Sequence, residues 1–105
     1  MVSKTTAKTK RISLAGDVEP EKAFWSSDGR VFKNLKELAA ALEKMDGKVW
    51  DFHVTCEKND FANWIEEVFG QKQLGAAIRK VKNPKTAARR VKSKLEAPKF
   101  WSFLM

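Results

Sequence analysis

The chain has 105 residues, of which 43% are hydrophobic and 32% are charged, and its net charge is +8. This length fits one domain with a single core and short tails. One cysteine, Cys56, cannot form an internal disulfide, and no run of about 18 apolar residues is available to span a membrane. No apolar segment follows the basic N-terminus, as it would in a secretory signal. The sequence therefore predicts a cytoplasmic protein rather than a secreted or membrane-spanning one.

The charge is distributed unevenly along the chain. Residues 1–33 carry +3, residues 34–70 carry −4, and residues 71–105 carry +9, with ten Lys or Arg against one acid. Segregated charge of this kind creates a directional field that steers charged partners. The alternative is that these cations only solvate exposed helix faces.

Residues 1–21 are predicted to form a basic, flexible tail, because they offer too little apolar area to offset the entropy of ordering. A β-hairpin is predicted next, since Ala23–Ser26 and Arg30–Lys33 flank Ser27-Asp28-Gly29. An Asp-Gly pair between two such runs favours a tight turn. A lone hairpin is marginally stable, so this one should pack on a helical core.

The first predicted helix begins after Asn34, which lies three residues before Glu37 in a capping-box arrangement. Asp46-Gly47 is expected to end it. Its buried stripe is Leu35, Leu38, Leu42 and Met45. Residues 48–56 are ambiguous, because their apolar residues fit either an alternating strand or a short helix.

The central prediction is a helix over Phe61–Phe69. Asn59 or Asp60 can cap its start, and Gly70 can end it in the left-handed conformation. Its apolar residues recur at helical spacing: Phe61, Trp64, Ile65, Val68 and Phe69. Because this stripe offers more apolar area than any other segment, we expect the rest of the domain to pack around it.

Two further helices are predicted after Gly70, separated by Asn83-Pro84. The first would bury Leu74, Ala77, Ile78 and Val81; the second would bury Ala87 or Ala88, Val91 and Leu95, and end at Ala97-Pro98. The fold class is therefore mainly α with a short N-terminal β-hairpin (α+β), with four to five helices. A single domain over 22–96 would lie between the tail of residues 1–21 and an aromatic C-terminal peptide, residues 97–105.

An ordered pattern of residues extends from Phe24 to Leu74. It contains Phe24, Asp28-Gly29, Asn34-Leu35, Glu37-Leu38, Leu42, Phe52-His53, Asn59-Asp60-Phe61, Trp64-Ile65, Val68-Phe69-Gly70 and Leu74. This pattern resembles a small family of domains of unknown function that occurs chiefly in archaea and in some bacteria. The resemblance covers roughly residues 22–92. It implies an α-rich domain with a short hairpin, favours a helix of about two turns over residues 48–56, and implies an archaeal origin. The resemblance implies no activity and assigns no functional residue.

One cluster, His53, Cys56 and Asp60, has ligand chemistry, but one His and one Cys fall short of a zinc site. We interpret His53 as a partly buried histidine bonded to backbone or to Asp60, and Cys56 as a small core residue. No phosphate loop, nucleophile elbow or triad spacing occurs. The sequence thus predicts no enzyme, no metal and no cofactor.

The basic residues predict contacts with the phosphates of DNA or RNA, the sequence-independent part of nucleic-acid affinity. No base-reading set or RNA-binding aromatic motif is present. The predicted nucleic-acid-binding residues are Lys8, Lys10, Arg11, Arg79, Lys80, Lys82, Lys85, Arg89, Arg90, Lys92 and Lys94. The acidic middle segment is expected to face away from them.

The C-terminal peptide has two interpretations. It either folds back over the domain or docks into a protein partner through aromatic anchors. The docking residues would be Phe100, Trp101, Phe103 and Leu104. An interaction adaptor is therefore the alternative function to nucleic-acid binding.

Overall fold

The computed structural model describes residues 16–104, and the side chains of residues 16–96. A 3-10 turn at Pro20–Lys22 precedes a two-stranded antiparallel sheet, β1 (Phe24–Trp25) and β2 (Val31–Phe32). Five helices follow: α1 (Leu35–Glu43), α2 (Gly47–His53), α3 (Asp60–Phe69), α4 (Lys72–Lys80) and α5 (Pro84–Leu104). The predicted fold class is confirmed, and residues 47–53 take the helical alternative. None of the helices in residues 16–104 is both long and apolar enough to cross a membrane.

The hairpin turn needs a glycine. The Gly29 N–H donates to the Ser26 carbonyl at 3.0 Å, and the Ser26 N–H donates to the Arg30 carbonyl at 2.8 Å. Gly29 and Arg30 together therefore oppose Ser26 in a glycine bulge, and Gly29 has the positive φ of 93° that this bulge requires. The Asp-Gly pattern thus predicted the hairpin correctly.

The register gives the hairpin a buried and an exposed face. Phe24 pairs with Phe32, and both are buried; Trp25 pairs with Val31, and both are exposed. Because hydrogen-bonded pairs alternate along an antiparallel ladder, the N–H and C=O of Val31 point away from β1. Lys33 is two residues further along, so its carbonyl also points away from β1. This carbonyl accepts the Val18 N–H at 2.8 Å.

Residues 17 and 18 belong to the domain, so the predicted boundary of the tail at residue 21 is wrong. Val18 is buried in the core, and Asp17 Oδ1 accepts a 2.6 Å hydrogen bond from Asn34 Nδ2. The apolar pattern did not predict that Val18 packs on the domain. This contact depends on a single valine and on the outward carbonyl of Lys33, which accepts the Val18 N–H. Residues 1–15 lie outside the described part of the chain.

The predicted helix caps are confirmed. Asn34 Oδ1 accepts from the Glu37 N–H at 2.7 Å, and Glu37 Oε1 accepts in return from the Lys33 N–H at 2.9 Å. Asn59 Oδ1 accepts from the Ala62 N–H at 3.0 Å, and Gly70 ends α3 with a φ of 68°. Local side-chain oxygens therefore fix where both helices begin.

Aromatic rings surround the central helix α3 on its buried side. Phe61 stacks on Phe24 at 5.0 Å between ring centroids and on Trp50 at 5.6 Å. Trp64 packs edge-on against Phe24, and its Nε1 donates to the Lys22 carbonyl at 2.7 Å. Rings thus attach the hairpin to α3, and one partly buried hydrogen bond attaches the preceding 3-10 turn.

The last helix packs through small residues. Ala87, Ala88 and Val91 are fully buried, and α5 contacts α1 most extensively and α4 less. Helix α5 also continues to Leu104, so the predicted end at Ala97-Pro98 is wrong. A proline removes one backbone donor, but the turns on either side of it can keep their hydrogen bonds.

Candidate nucleic-acid interface

The predicted phosphate-binding residues fall into three groups. Lys8, Lys10 and Arg11 lie outside the described residues. Arg79 and Lys80 are in the last turn of α4, and Lys82 is in the link to α5. The others lie on α5: Lys85, Arg89, Arg90, Lys92 and Lys94.

Helix α5 presents its cations away from the core. Successive residues turn by about 100° around a helix, so the buried Ala87, Ala88 and Val91 define one side of α5. Lys85, Arg89, Arg90 and Ser93 are exposed on the rest of its circumference, and Lys92 and Lys94 are half-buried along its flanks. We call Lys85, Arg89, Arg90, Lys92 and Lys94 the α5 cationic face.

One carboxylate of the acidic segment contacts this face. Lys92 Nζ donates a hydrogen bond to Glu43 of α1. This hydrogen bond and the charge of Lys92 lower the pKa of the Glu43 carboxyl, helped by the charges of Lys44 and Lys85. Lys85 and Lys92 therefore share the side of α5 that faces α1, as a separation of seven residues requires.

Arg79 is engaged within the protein. Its Nη2 donates to Glu66 Oε1 at 2.9 Å and to Asn63 Oδ1 at 2.8 Å, and its Nε donates to Glu66 Oε2 at 3.3 Å. The hydrogen bonds from Arg79 lower the pKa of Glu66. Arg79 therefore connects α4 to α3. The expectation that the acidic segment faces away from the cations is wrong at Arg79 and at Lys92.

Gly75 makes the Arg79 contact possible, a role that was not predicted from the sequence. Gly75 is buried in α4, and a Cβ on it would collide with the side chain of Glu66. The carboxylate therefore lies over the glycine on its way to Arg79. A signal existed in the sequence, because a glycine inside a helical stripe often marks a close approach.

The remaining predicted cations form no ion pair among the described side chains. Residues 71–96 contain nine Lys or Arg and one acid, Glu96. After Arg79 and Lys92 are set aside, the unpaired predicted cations are Lys80, Lys82, Lys85, Arg89, Arg90 and Lys94. They lie on two consecutive helices and the link between them, so this end of the domain is strongly positive.

His53 has a structural role. Its ring is buried, its Nε2 accepts the Ser27 N–H at 3.0 Å, and its Nδ1 lies 2.9 Å from Asp60 Oδ2. Since Nε2 is an acceptor, the proton of the neutral ring lies on Nδ1 and is donated to Asp60. The interpretation of His53 as a bonded histidine is confirmed. No group of three or more potential metal ligands occurs in the described part of the chain.

Asp60 completes this contact from the first turn of α3. Burial raises the pKa of its carboxyl, but the hydrogen bonds from His53 and Lys58 outweigh burial and lower it. Lys58 Nζ lies 2.9 Å from Asp60 Oδ2 and 5.5 Å from the centre of the Phe52 ring. Through His53, the Asp60 carboxylate thus links the hairpin turn at Ser27 to α2 and α3.

Three surface features differ from the sequence predictions or were not foreseen. Cys56 is exposed, so its interpretation as a core residue is wrong; it lies in the link between α2 and α3. Trp25 is 69% exposed and Phe52 is 59% exposed. The strand register places Trp25 on the exposed face of the hairpin, and Phe52 lies outside the side of α2 that buries Trp50 and His53.

The predicted docking residues Phe100, Trp101, Phe103 and Leu104 lie within the range of α5, and their side chains are outside the described ones. Comparisons with protein-family models, with curated proteins and with solved structures find no match to this chain. The resemblance to the archaeal family therefore stays a prediction.

Proposed function

We propose that this protein is a non-enzymatic nucleic-acid-binding protein that contacts the phosphate backbone of DNA or RNA. The observation that carries the proposal is the cluster of cations without acidic partners on the link and on α5. Lys80, Lys82, Lys85, Arg89 and Arg90 are all exposed and form no ion pair among the described side chains.

A phosphate backbone is the partner that this surface fits best. Phosphates bind Lys and Arg through charge and release condensed counterions, so affinity grows with the number of contacts. The fully buried Ala87, Ala88 and Val91 fix α5 on the core, so its cations are held on a rigid element. Lys8, Lys10 and Arg11 would add further contacts from the N-terminus.

The hydrogen bonds of His53 support a binding role over catalysis. The ring with the most obvious acid–base chemistry has both nitrogens engaged in the contact between Ser27 and Asp60. Neither ring nitrogen is thus free to exchange a proton with a substrate. A cytoplasmic location, associated with the nucleoid or with ribosomes, accompanies this proposal.

A salt titration of binding tests the proposal. Fluorescence anisotropy with labelled duplex DNA should give a log–log slope near −3.5 or steeper, about −0.9 for each phosphate contact. Arg89→Ala with Arg90→Ala should reduce the slope by about 1.8, because two contacts are lost. The matched control is Lys36→Ala with Lys48→Ala, two exposed lysines on α1 and α2. No binding to DNA or RNA at low salt, or equal slopes for the two double variants, overturns the proposal.

An interaction adaptor is the second candidate, and the helical backbone up to Leu104 favours it. Phe100, Trp101, Phe103 and Leu104 would then enter a partner's groove as a helix rather than as an extended peptide. Deleting residues 99–105 tests this function. A lost partner in a pull-down with an unchanged melting temperature supports docking, and a large fall in melting temperature supports folding back.

A further inference from the structure

If the proposed function holds, the shape of α5 indicates which kind of nucleic acid the protein binds. The helix has 21 residues, or about 30 Å at 1.5 Å per residue. It packs on α1 and α4 through the side that carries Ala87, Ala88 and Val91. The opposite side is open along the described side chains, where Arg89, Arg90 and Ser93 are exposed.

The cations of α5 lie in two rows rather than on one line. Lys85, Arg89 and Lys92 follow the side toward α1, as the contact of Lys92 with Glu43 fixes. Arg90 and Lys94 follow the other side, because Arg90 is about 100° around the helix from Arg89. Ser93 is one turn further along and lies between Arg89 and Arg90. The outermost line of the helix thus carries a small residue between two rows of long cationic side chains.

Two rows of cations on opposite sides of a helix fit two phosphate chains, one on each side. A helix with its side chains is about 10–12 Å wide, and the major groove of B-form DNA is about 12 Å wide. A helix in that groove has one phosphate chain on each flank. The major groove of an RNA duplex is too deep and narrow for side chains to read, and a single strand offers one phosphate chain.

We propose that the partner is duplex DNA and that α5 enters its major groove, with the two rows of the α5 cationic face on the two phosphate chains. Glu96 is the one acid on this part of the helix, four residues after Lys92. It lies on the row that faces α1, which also carries the Lys92–Glu43 pair. The row of Arg90 and Lys94 has no acid, so its two contacts should contribute more to the salt slope.

The test compares three probes of one sequence: duplex DNA, duplex RNA and single-stranded DNA, each two helical turns long. Duplex DNA should bind at least about tenfold more tightly than the other two. Equal affinity for all three, with steep salt dependence, overturns this inference and leaves the proposed function standing. Binding to none of the three removes both.

A bulky side chain at the outermost position separates groove entry from contact with the outside of the duplex. Ser93→Trp should weaken binding to duplex DNA by about tenfold or more, because the ring meets the groove floor. Gln73→Trp, at an exposed position on α4, is the control and should bind as wild type does. Unchanged binding by a folded Ser93→Trp variant contradicts groove entry.

A second measurement uses the unaltered protein. Duplex DNA with bulky groups on the C5 atoms of its pyrimidines has a filled major groove and an unchanged phosphate charge. We expect this duplex to bind about tenfold more weakly than unmodified DNA. Equal affinity for the two duplexes overturns the inference.

Discussion

The two ends of the domain are built differently. The hairpin, α2 and α3 meet through large rings: Phe61 stacks on Phe24 and Trp50, and Trp64 packs edge-on against Phe24. His53 is hydrogen-bonded beside them. Helix α5 meets its neighbours through Ala87, Ala88, Val91 and the partly buried Leu95. The first end buries large rings, whereas α5 contributes mostly small side chains to the core.

This difference separates stability from the proposed function. Each buried aromatic contributes more to the hydrophobic free energy than an alanine does, so truncating a ring should cost more stability than truncating a buried alanine of α5. The alanine-rich end leaves the rest of the α5 circumference to charged residues. Substitutions on the α5 cationic face should therefore alter binding without unfolding the domain.

The largest expected effect is at Phe61. Phe61→Ala removes the ring that Phe24, Trp50 and His53 contact, and should lower the free energy of unfolding by about 3–5 kcal/mol. Urea unfolding followed by circular dichroism measures this loss. Phe52→Ala, at a ring that is 59% exposed, should cost less than about 1 kcal/mol. Similar losses for both variants contradict the ring-rich core.

A smaller loss should follow from enlarging an alanine on α5. Ala88 is fully buried, so Ala88→Leu forces α5 away from its neighbours and should cost about 1–3 kcal/mol. Ala40→Leu, on the exposed side of α1, is the control and should stay within about 0.5 kcal/mol. If Ala88→Leu stabilises the protein in urea, the close packing of α5 is wrong.

The pH dependence of stability should identify Asp60. The pKa of Asp60 is lowered in the folded protein, so its carboxylate stabilises the fold above its ordinary pKa of 3.8, and this stabilisation is lost as the pH falls through the lower, folded-state pKa. The difference in unfolding free energy between wild type and Asp60→Asn should therefore shrink below about pH 4. A difference that stays constant as the pH falls would show that the contact with His53 and Lys58 contributes no charge effect.

The smallest effect tests the contact between Glu66, Gly75 and Arg79. Gly75→Ala improves helix propensity but displaces Glu66, so the variant should lose the ion pair with Arg79. Arg79→Ala should then lower the melting temperature of wild type more than that of Gly75→Ala, in which only the hydrogen bond from Arg79 to Asn63 is left to lose. This double-mutant cycle isolates the pair. Equal losses in both backgrounds would mean that Glu66 finds Arg79 despite the added Cβ.

Local signals predicted most of the fold. The caps at Asn34 and Asn59, the glycine at 29 and the stripe of α3 depend on residues within a few positions of one another, so spacing alone reveals them. Spacing alone could not decide the structure of residues 48–56, since both an alternating strand and a short helix fitted it.

Several of the errors concern contacts between distant residues. Val18 meets Lys33, Glu43 meets Lys92, and Glu66 meets Arg79 across separations that no periodic pattern encodes. Which cations on α4 and α5 remain unpaired depends on these contacts. The sequence therefore placed the basic surface on the right helices but could not separate its paired residues from its free ones.

The outward peptide group of Val31 has a consequence for self-association. Both strands of a two-stranded sheet are edge strands. The outward N–H and C=O of Val31 on β2 can therefore pair with a strand from another molecule. Arg30 and Lys33 are exposed on either side of Val31. Charged side chains on an edge strand disfavour the addition of a strand from another copy, so these two cations should oppose self-association whether or not they contact phosphate.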